Sequence, residues 1–182
     1  MIRAIGMLEL TSISRGIFTA DQMIKMTNVE VITANSVCPG KYIIILHGDV
    51  SSVENAVSHG EEIAEEFLVD SILIPNVEQK IFPAITGTSM PENIGALGIM
   101  ESYSQADLLY SADQILKVAD LEPIELRLGN GIGGKAYFAF TGDIAAVNAG
   151  VDLGKTLSKD KGFLVNVEVI ASLSKELIPS LL

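Results

Sequence analysis

The chain is poor in residues that carry hydrolytic or metal chemistry. Its 182 residues include one cysteine, Cys38, so no disulfide can form within the chain. Only two histidines are present, and neither has the spacing of a metal-ligand motif. No serine or cysteine lies in a recognisable nucleophile motif. The sequence therefore contains no recognisable hydrolase site, and we predict that the protein is not an enzyme.

Positive charge and long apolar runs are also scarce. Twelve Lys and Arg stand against 23 Asp and Glu, and the net charge of -11 argues against a nucleic-acid partner, which needs clustered positive charge. The densest apolar stretch, residues 42–46, is far shorter than the roughly 20 residues of a membrane span, so we expect no membrane partner. The N-terminus lacks a signal-peptide pattern, which predicts a cytoplasmic location. A composition that is 48% hydrophobic and 19% charged predicts an oligomer.

The chain contains the same module twice. Residues 4–9 (AIGMLE) return as 96–101 (ALGIME), and residues 20–25 (ADQMIK) return as 112–117 (ADQILK). A repeat of this length divides the chain into two domains joined by a short linker. The predicted boundaries are 1–86 for the first domain, 87–93 for the linker and 94–182 for the second domain.

Hydropathy patterning gives both modules the order β-α-β-β-α-β followed by a short helix. In the first module we predict strands over 2–10, 29–36, 41–47 and 68–74, and helices over 15–28, 50–66 and 76–85. This is the order of ferredoxin-like domains, in which helices pack on one face of an antiparallel sheet. The sequence therefore predicts an α+β fold, present twice.

The modules differ most between their second and third strands. The first has Val37-Cys-Pro-Gly-Lys41, and the second has Gly129-Asn-Gly-Ile-Gly-Gly-Lys135. The second segment has nearly the spacing of a phosphate-binding loop, but Ala136 lacks the hydroxyl that holds Mg²⁺ and a strand is predicted to follow instead of a helix. We expect instead a hairpin loop whose glycines let the backbone approach a neighbouring chain or a pore axis. A lone cysteine is commonly a small buried hydrophobe, but the position of Cys38 in a turn favours an exposed thiol.

Three motifs occur in the same order in both modules: a strand that ends in Glu (4–9 and 96–101), an Ala-Asp-x-hydrophobic-x-Lys helix (20–25 and 112–117) and a Gly-Asp turn (48–49 and 142–143). Together they resemble the bacterial microcompartment shell domain. The resemblance covers essentially the whole chain. Two unpermuted domains in tandem, with Cys38 in the first loop and glycines in the second, are most similar to the T-type iron–sulfur shell proteins of propanediol-utilisation microcompartments.

The resemblance implies a homotrimer whose six lobes imitate a hexagonal tile. Such a pseudo-hexamer packs with other shell proteins in the hexagonal layer of a microcompartment shell, within the cytoplasm. Cys38 of each chain would supply one thiolate to a single [4Fe-4S] cluster on the three-fold axis, which would conduct electrons across the shell, with a redox enzyme as a possible partner. The implied pore-lining residues are Ser36, Val37, Pro39, Gly40, Gly131, Ile132, Gly133 and Gly134, and the implied tile-edge residues are Lys25 and Lys117.

Three alternatives remain at this point. The first is a passive tile, in which Cys38 binds no metal and the central pore admits small metabolites. The second is a trimeric ferredoxin-like signalling protein that binds a small effector between its lobes. The third is a thiol-dependent enzyme, which the sequence supports least because it offers no base partner for the thiol.

The chain departs from the shell-domain pattern at the tile edge. Shell domains often carry a Pro-Arg-Pro-His segment after the fourth strand, and this chain has Pro75-Asn-Val-Glu78 and Ala171-Ser-Leu-Ser174 there. The resemblance therefore supports the pore residues more strongly than the edge residues.

Overall fold

The computed structural model describes residues 4–181 and divides the chain into two compact units. The first comprises residues up to 77 together with 131–134, and the second comprises 78–130 and the residues from 135 onward. The elements of the first unit are β1 Ala4–Leu10, α1 Ile13–Met26, β2 Glu30–Val37, β3 Lys41–Gly48, α2 Val50–Ala64, a 3-10 turn Glu65–Phe67 and β4 Leu68–Pro75.

The second unit repeats this order after a short helix. Its elements are α3 Ile81–Ile85, β5 Ala96–Ser102, α4 Gln105–Val118, β6 Glu122–Leu128, β7 Ala136–Gly142, α5 Ile144–Ser158, β8 Leu164–Ile170 and a 3-10 turn Ile178–Ser180. No helix within residues 4–181 is long and apolar enough to cross a membrane.

Each unit contains one antiparallel four-stranded sheet. The strand orders are β2-β3-β1-β4 and β6-β7-β5-β8, so the first strand of each module lies between its third and fourth strands. This connectivity is that of the split βαβ motif. The predicted ferredoxin-like α+β fold is confirmed in both modules.

Local sequence signals explain where the long helices begin. Ser12 and Ser104 accept the backbone N–H three residues ahead at the start of α1 and α4, and Asp49 and Asp143 do the same for α2 and α5. Such side chains satisfy an N–H group that has no partner within the helix. Hydrogen bonds from Ser52 hold the pKa of the Asp49 carboxyl below its usual range.

All three helices predicted for the first module differ from the structure at their boundaries. The helix predicted over 15–28 spans Ile13–Met26, and backbone conformation accounts for the differences in the other two. The helix predicted over 50–66 ends as an α-helix at Ala64, because Glu65 has a left-handed φ of 51°. The helix predicted over 76–85 begins only at Ile81, because Asn76 has a φ of 56° and residues 79–80 form a turn. The predicted helix is therefore irregular over its first half, residues 76–80, and helical only over Ile81–Ile85.

Glycine at the centre of the first strand leaves room for a neighbouring side chain in each module, from α2 in the first and from β7 in the second. A Cβ at Gly6 would lie 2.5 Å from a methyl group of Val57, and one at Gly98 would lie 2.4 Å from the Phe140 ring. No side chain larger than hydrogen fits at either position without repacking. The core beside Gly6 consists of buried residues of both helices and the central strands, among them Leu8, Met23, Ile44, Leu46 and Val53.

Candidate functional site

Cys38 lies at the tip of the hairpin that joins β2 to β3. The last pair of the ladder is Val37 with Lys41, and the Gly40 N–H donates to the Val37 carbonyl at 2.9 Å to close the turn. Val37 is buried, Cys38 is half-buried, and Pro39 and Gly40 are exposed. Strand pairing thus fixes the position of the thiol. The sequence predicted an exposed thiol, and the structure places it half-buried, neither in the core nor fully exposed.

The equivalent loop of the second module consists largely of glycine. It spans residues 129–135, and the Gly129 N–H donates to the Lys135 carbonyl at 3.1 Å. Four of its glycines, at positions 129, 131, 133 and 134, have φ between 64° and 84°, a region that favours glycine. β7 follows the loop directly, which confirms the predicted strand that argued against a phosphate-binding loop.

Residues 131–134 belong to the first compact unit, where Gly134 approaches the backbone of the cysteine turn. A Cβ at Gly134 would lie 2.8 Å from Cδ of Pro39 and 3.2 Å from the carbonyl oxygen of Cys38. Around Gly40, Gly131 and Gly133 a Cβ would meet no atom within 4 Å. The structure therefore brings Gly134 against Cys38 and Pro39, and leaves Gly40, Gly131 and Gly133 in open space.

The remaining predicted pore residues are one strand residue beside the first loop and one residue inside the second loop. Ser36 is exposed on β2, where it pairs with Tyr42 of β3. Ile132 is half-buried and provides the largest side chain of the second loop. Ser36 thus precedes the Cys38 turn, and Ile132 lies within the glycine loop.

An ion pair lies at the base of each loop. Nζ of Lys41 is 2.7 Å from Oε1 of Glu9, whose side chain is fully buried. Lys135 pairs with Glu101, whose side chain is only partly buried. The hydrogen bond to Glu101 raises the pKa of Lys135. The sequence analysis missed these pairs, although the repeat carries a signal for them, since both modules have Glu at the end of the strand motif and Lys after the loop.

The second module has a polar cluster on β6 and β7 that the first lacks. The Tyr137 hydroxyl donates to the Glu125 carboxylate, and the Arg127 guanidinium lies 5.4 Å from the Tyr137 ring centroid and pairs with Glu125. Burial, and then the hydrogen bond to Glu125, raises the pKa of Tyr137 to about 12. In the first module the equivalents of Glu125 and Arg127 are Thr33 and Asn35, so no sequence pattern within the repeat pointed to this cluster.

The two predicted tile-edge lysines have different surroundings. Lys25 pairs with Asp21 at 2.7 Å, and 69% of its side chain is exposed. Lys117 pairs with Asp113 at 2.6 Å, but Asp113 is fully buried and its Oδ1 also accepts the Glu78 N–H at 2.8 Å. Lys25 is therefore the more accessible of the two in one chain.

The donor set of one chain limits what the site can bind. Among residues 4–181, no three His, Cys, Asp or Glu side chains come together as a metal site. Cys38 offers one sulfur, whereas an iron–sulfur cluster is normally held by about four ligands. A cluster at Cys38 would thus need thiolates from several chains.

Comparisons with known proteins agree with the repeat. The BMC domain model matches residues 4–77 and 96–173. The bacterial microcompartment shell protein PduT of Citrobacter freundii is 38% identical over 93% of this chain and 92% of its own length. The crystal structure of a microcompartment protein from Desulfitobacterium hafniense has a TM-score of 0.90 at 39% identity, and covers 97% of this chain and 98% of that one. A fused permuted hexameric shell protein of the RMM microcompartment shares the fold alone, with a TM-score of 0.62 at 15% identity over 85% of this chain and 80% of that one.

The two matches to one domain model confirm the predicted tandem of shell domains. They also confirm that the protein's place is the microcompartment shell. The chain belongs to the BMC domain family and is a shell tile of a bacterial microcompartment.

Proposed function

We propose that this tile is a homotrimer that holds one [4Fe-4S] cluster on its three-fold axis through Cys38, and that it conducts electrons across the shell. The observation that carries the proposal is the position of the only thiol, half-buried at a hairpin tip, opposite glycines in the matched loop. Six identical lobes would present six thiols, whereas a duplicated chain presents three per trimer. When bound, such a cluster supplies a one-electron redox centre.

The residues around Cys38 suit this role. Gly134 lies against the Cys38 carbonyl, and Gly131 and Gly133 add no side chain that would crowd the thiol. Lys41 follows the turn but is neutralised by the buried Glu9 carboxylate, so the pair anchors the loop without adding net charge. Hydrogen bonds to its sulfur ligands would tune the potential of such a cluster.

The proposal assigns the other predicted residues as well. Pore-lining roles fall to Ser36, Val37, Pro39, Gly40, Gly131, Ile132, Gly133 and Gly134, and tile-edge roles to Lys25 and Lys117. The exposure of Lys25 supports the edge role for the first module. The proposed partners are further copies of this chain, other shell proteins in a hexagonal layer, and a redox enzyme on one side of the shell.

Anaerobic reconstitution with iron and sulfide tests the cluster. We expect about four irons per trimer and a paramagnetic signal on reduction, and both should be lost in Cys38→Ala. Ser36→Ala is the matched control, since it removes a small polar group from the same loop and should retain the iron. Equal iron binding by the Cys38→Ala variant would overturn the proposal.

A passive tile is the second candidate, and the open space around Gly40, Gly131 and Gly133 favours it. In this case the central opening would admit small metabolites and Cys38 would remain a free thiol. The same reconstitution separates the two candidates. A wild-type protein that assembles into sheets but retains no iron would establish the passive tile.

A further inference from the structure

A cleft of about 160 Å³ lies on the second unit, where residues 87–89 and 180–181 lie beside β6. Its lining combines a charged pair, two hydroxyl groups and two apolar side chains: Glu125, Arg127, Ser89, Ser180, Ile124 and Leu181. At roughly 30 Å³ of liquid volume per water molecule, the cleft has room for a ligand of about five to eight non-hydrogen atoms. Any ligand of this cleft is therefore a small molecule.

Arg127 provides a guanidinium that is held in place and still able to donate. Its Nε donates to Oε1 of Glu125 at 2.8 Å, and Nη2 lies 2.6 Å from the same oxygen. The guanidinium also lies over the Tyr137 ring, 5.4 Å from the ring centroid. Among residues 4–181 Nη1 has no hydrogen-bond partner, and 45% of the side chain is exposed. The free edge of Arg127 can therefore bind a carboxylate group.

The other polar groups of the cleft act as acceptors. Ser89 donates its hydroxyl proton to the Pro123 carbonyl, and Ser180 donates its hydroxyl proton to the Leu177 carbonyl at 2.6 Å. Each hydroxyl oxygen keeps lone pairs, and the ionised Glu125 carboxylate has only acceptor oxygens. The cleft thus presents three acceptor groups beside one guanidinium.

The charges of the cleft select the class of ligand. Glu125 already neutralises Arg127, so a phosphate group would bring further negative charge next to a carboxylate without a second cation in the lining. A molecule that is neutral overall but carries both charges fits better. Its carboxylate can meet Arg127, and the three N–H donors of its ammonium group can meet the three acceptors.

The charged pair is specific to the second module. The equivalents of Glu125 and Arg127 in the first module are Thr33 and Asn35, which carry no charge. The equivalent of Ser180 is Ala84, which is fully buried, whereas Ser180 is exposed. The two copies have therefore diverged at this place as they have at Cys38.

We propose that this cleft binds a small zwitterion, an α-amino acid of about six non-hydrogen atoms, with its carboxylate on Arg127 and its ammonium group among Glu125, Ser89 and Ser180. Ile124 and Leu181 contact its apolar part. Each chain has one such site, and the site depends neither on the trimer nor on the cluster.

Saturation-transfer NMR titrations of the full chain without iron test the site with three probes of equal size. L-Alanine carries both charges, L-alaninamide lacks the carboxylate, and L-lactate lacks the ammonium group. We expect a Kd of about 1 mM for L-alanine. Each of the other two probes should bind at least about tenfold more weakly, because each loses one charged contact. Equal binding of L-alanine and L-lactate, or no saturation transfer to L-alanine, would overturn the proposal.

Three variants test which residues hold the probe. Arg127→Gln should weaken the binding of L-alanine about tenfold and leave that of L-alaninamide unchanged. Ser180→Leu keeps the Arg127 and Glu125 pair, but its larger side chain fills the cleft and should abolish the binding of L-alanine. Lys159→Gln removes a positive charge from the exposed end of α5 and should bind L-alanine as the wild type does. Wild-type affinity in either Arg127→Gln or Ser180→Leu would place the ligand elsewhere and contradict the site.

Discussion

Alanine at Gly134 should disturb the Cys38 turn, whereas alanine at Gly133 should not. Both glycines have left-handed backbones, with φ of 84° and 64°, which costs a residue with a Cβ about 1–2 kcal/mol. Only at Gly134 would the new methyl group also meet neighbours, 2.8 Å from Cδ of Pro39 and 3.2 Å from the Cys38 carbonyl oxygen. Such overpacking typically costs a further ~1–3 kcal/mol.

Urea unfolding and thiol labelling measure the two consequences separately. Gly133→Ala should lose about 1–2 kcal/mol of unfolding free energy, and Gly134→Ala about 2–5 kcal/mol. The rate at which a disulfide reagent labels Cys38 should change only in Gly134→Ala, because only there must the turn move. Equal stability losses, together with equal labelling rates in both variants, would refute the close contact between Gly134 and Cys38.

Three further predictions concern buried polar groups. Lys41→Met should lower the free energy of unfolding in urea by about 3 kcal/mol, because it removes the ammonium group that pairs with the buried Glu9 carboxylate. Lys25→Met is the control: it breaks an exposed pair and should lower the free energy of unfolding by at most about 1 kcal/mol. Folding raises the Tyr137 pKa from 10.0 to about 12, so the protonated Tyr137 contributes its full stabilisation below pH 10, and this stabilisation is lost as the pH rises through 12. Tyr137→Phe should therefore remove the last step of the tyrosinate absorbance titration. Glu125→Gln should lower that pKa only in part, because burial is its larger cause, and a return to 10.0 would contradict this ranking.

The elements of the fold could be predicted because their signals are local and occur twice. The helix-starting residues Ser12 and Asp49 recur as Ser104 and Asp143, and each caps the equivalent helix of its module. The predictions failed at helix ends. A left-handed residue such as Glu65 ends a helix without any residue type that announces it.

The site could be predicted only in part. Cys38 and the glycines of the second loop stood out because the two copies differ there. The Tyr137, Glu125 and Arg127 cluster did not, since these residues contact each other across neighbouring strands and no spacing along the chain reveals a cross-strand pair. The Glu9 and Lys41 pair lay within reach of the sequence, but only as two repeated residues without a known partner.

By itself the sequence determined that two copies of one ferredoxin-like module are present and that a single thiol distinguishes them, because periodicity and repetition are properties of the chain. The tertiary structure decided which copies of equivalent residues are covered. Asp113 and Asp21 occupy the same place in the same motif, yet only Asp113 is buried, and the Glu78 N–H donates to its carboxylate. Burial depends on what folds back onto a residue, and for that reason two equal motifs can have unequal surroundings.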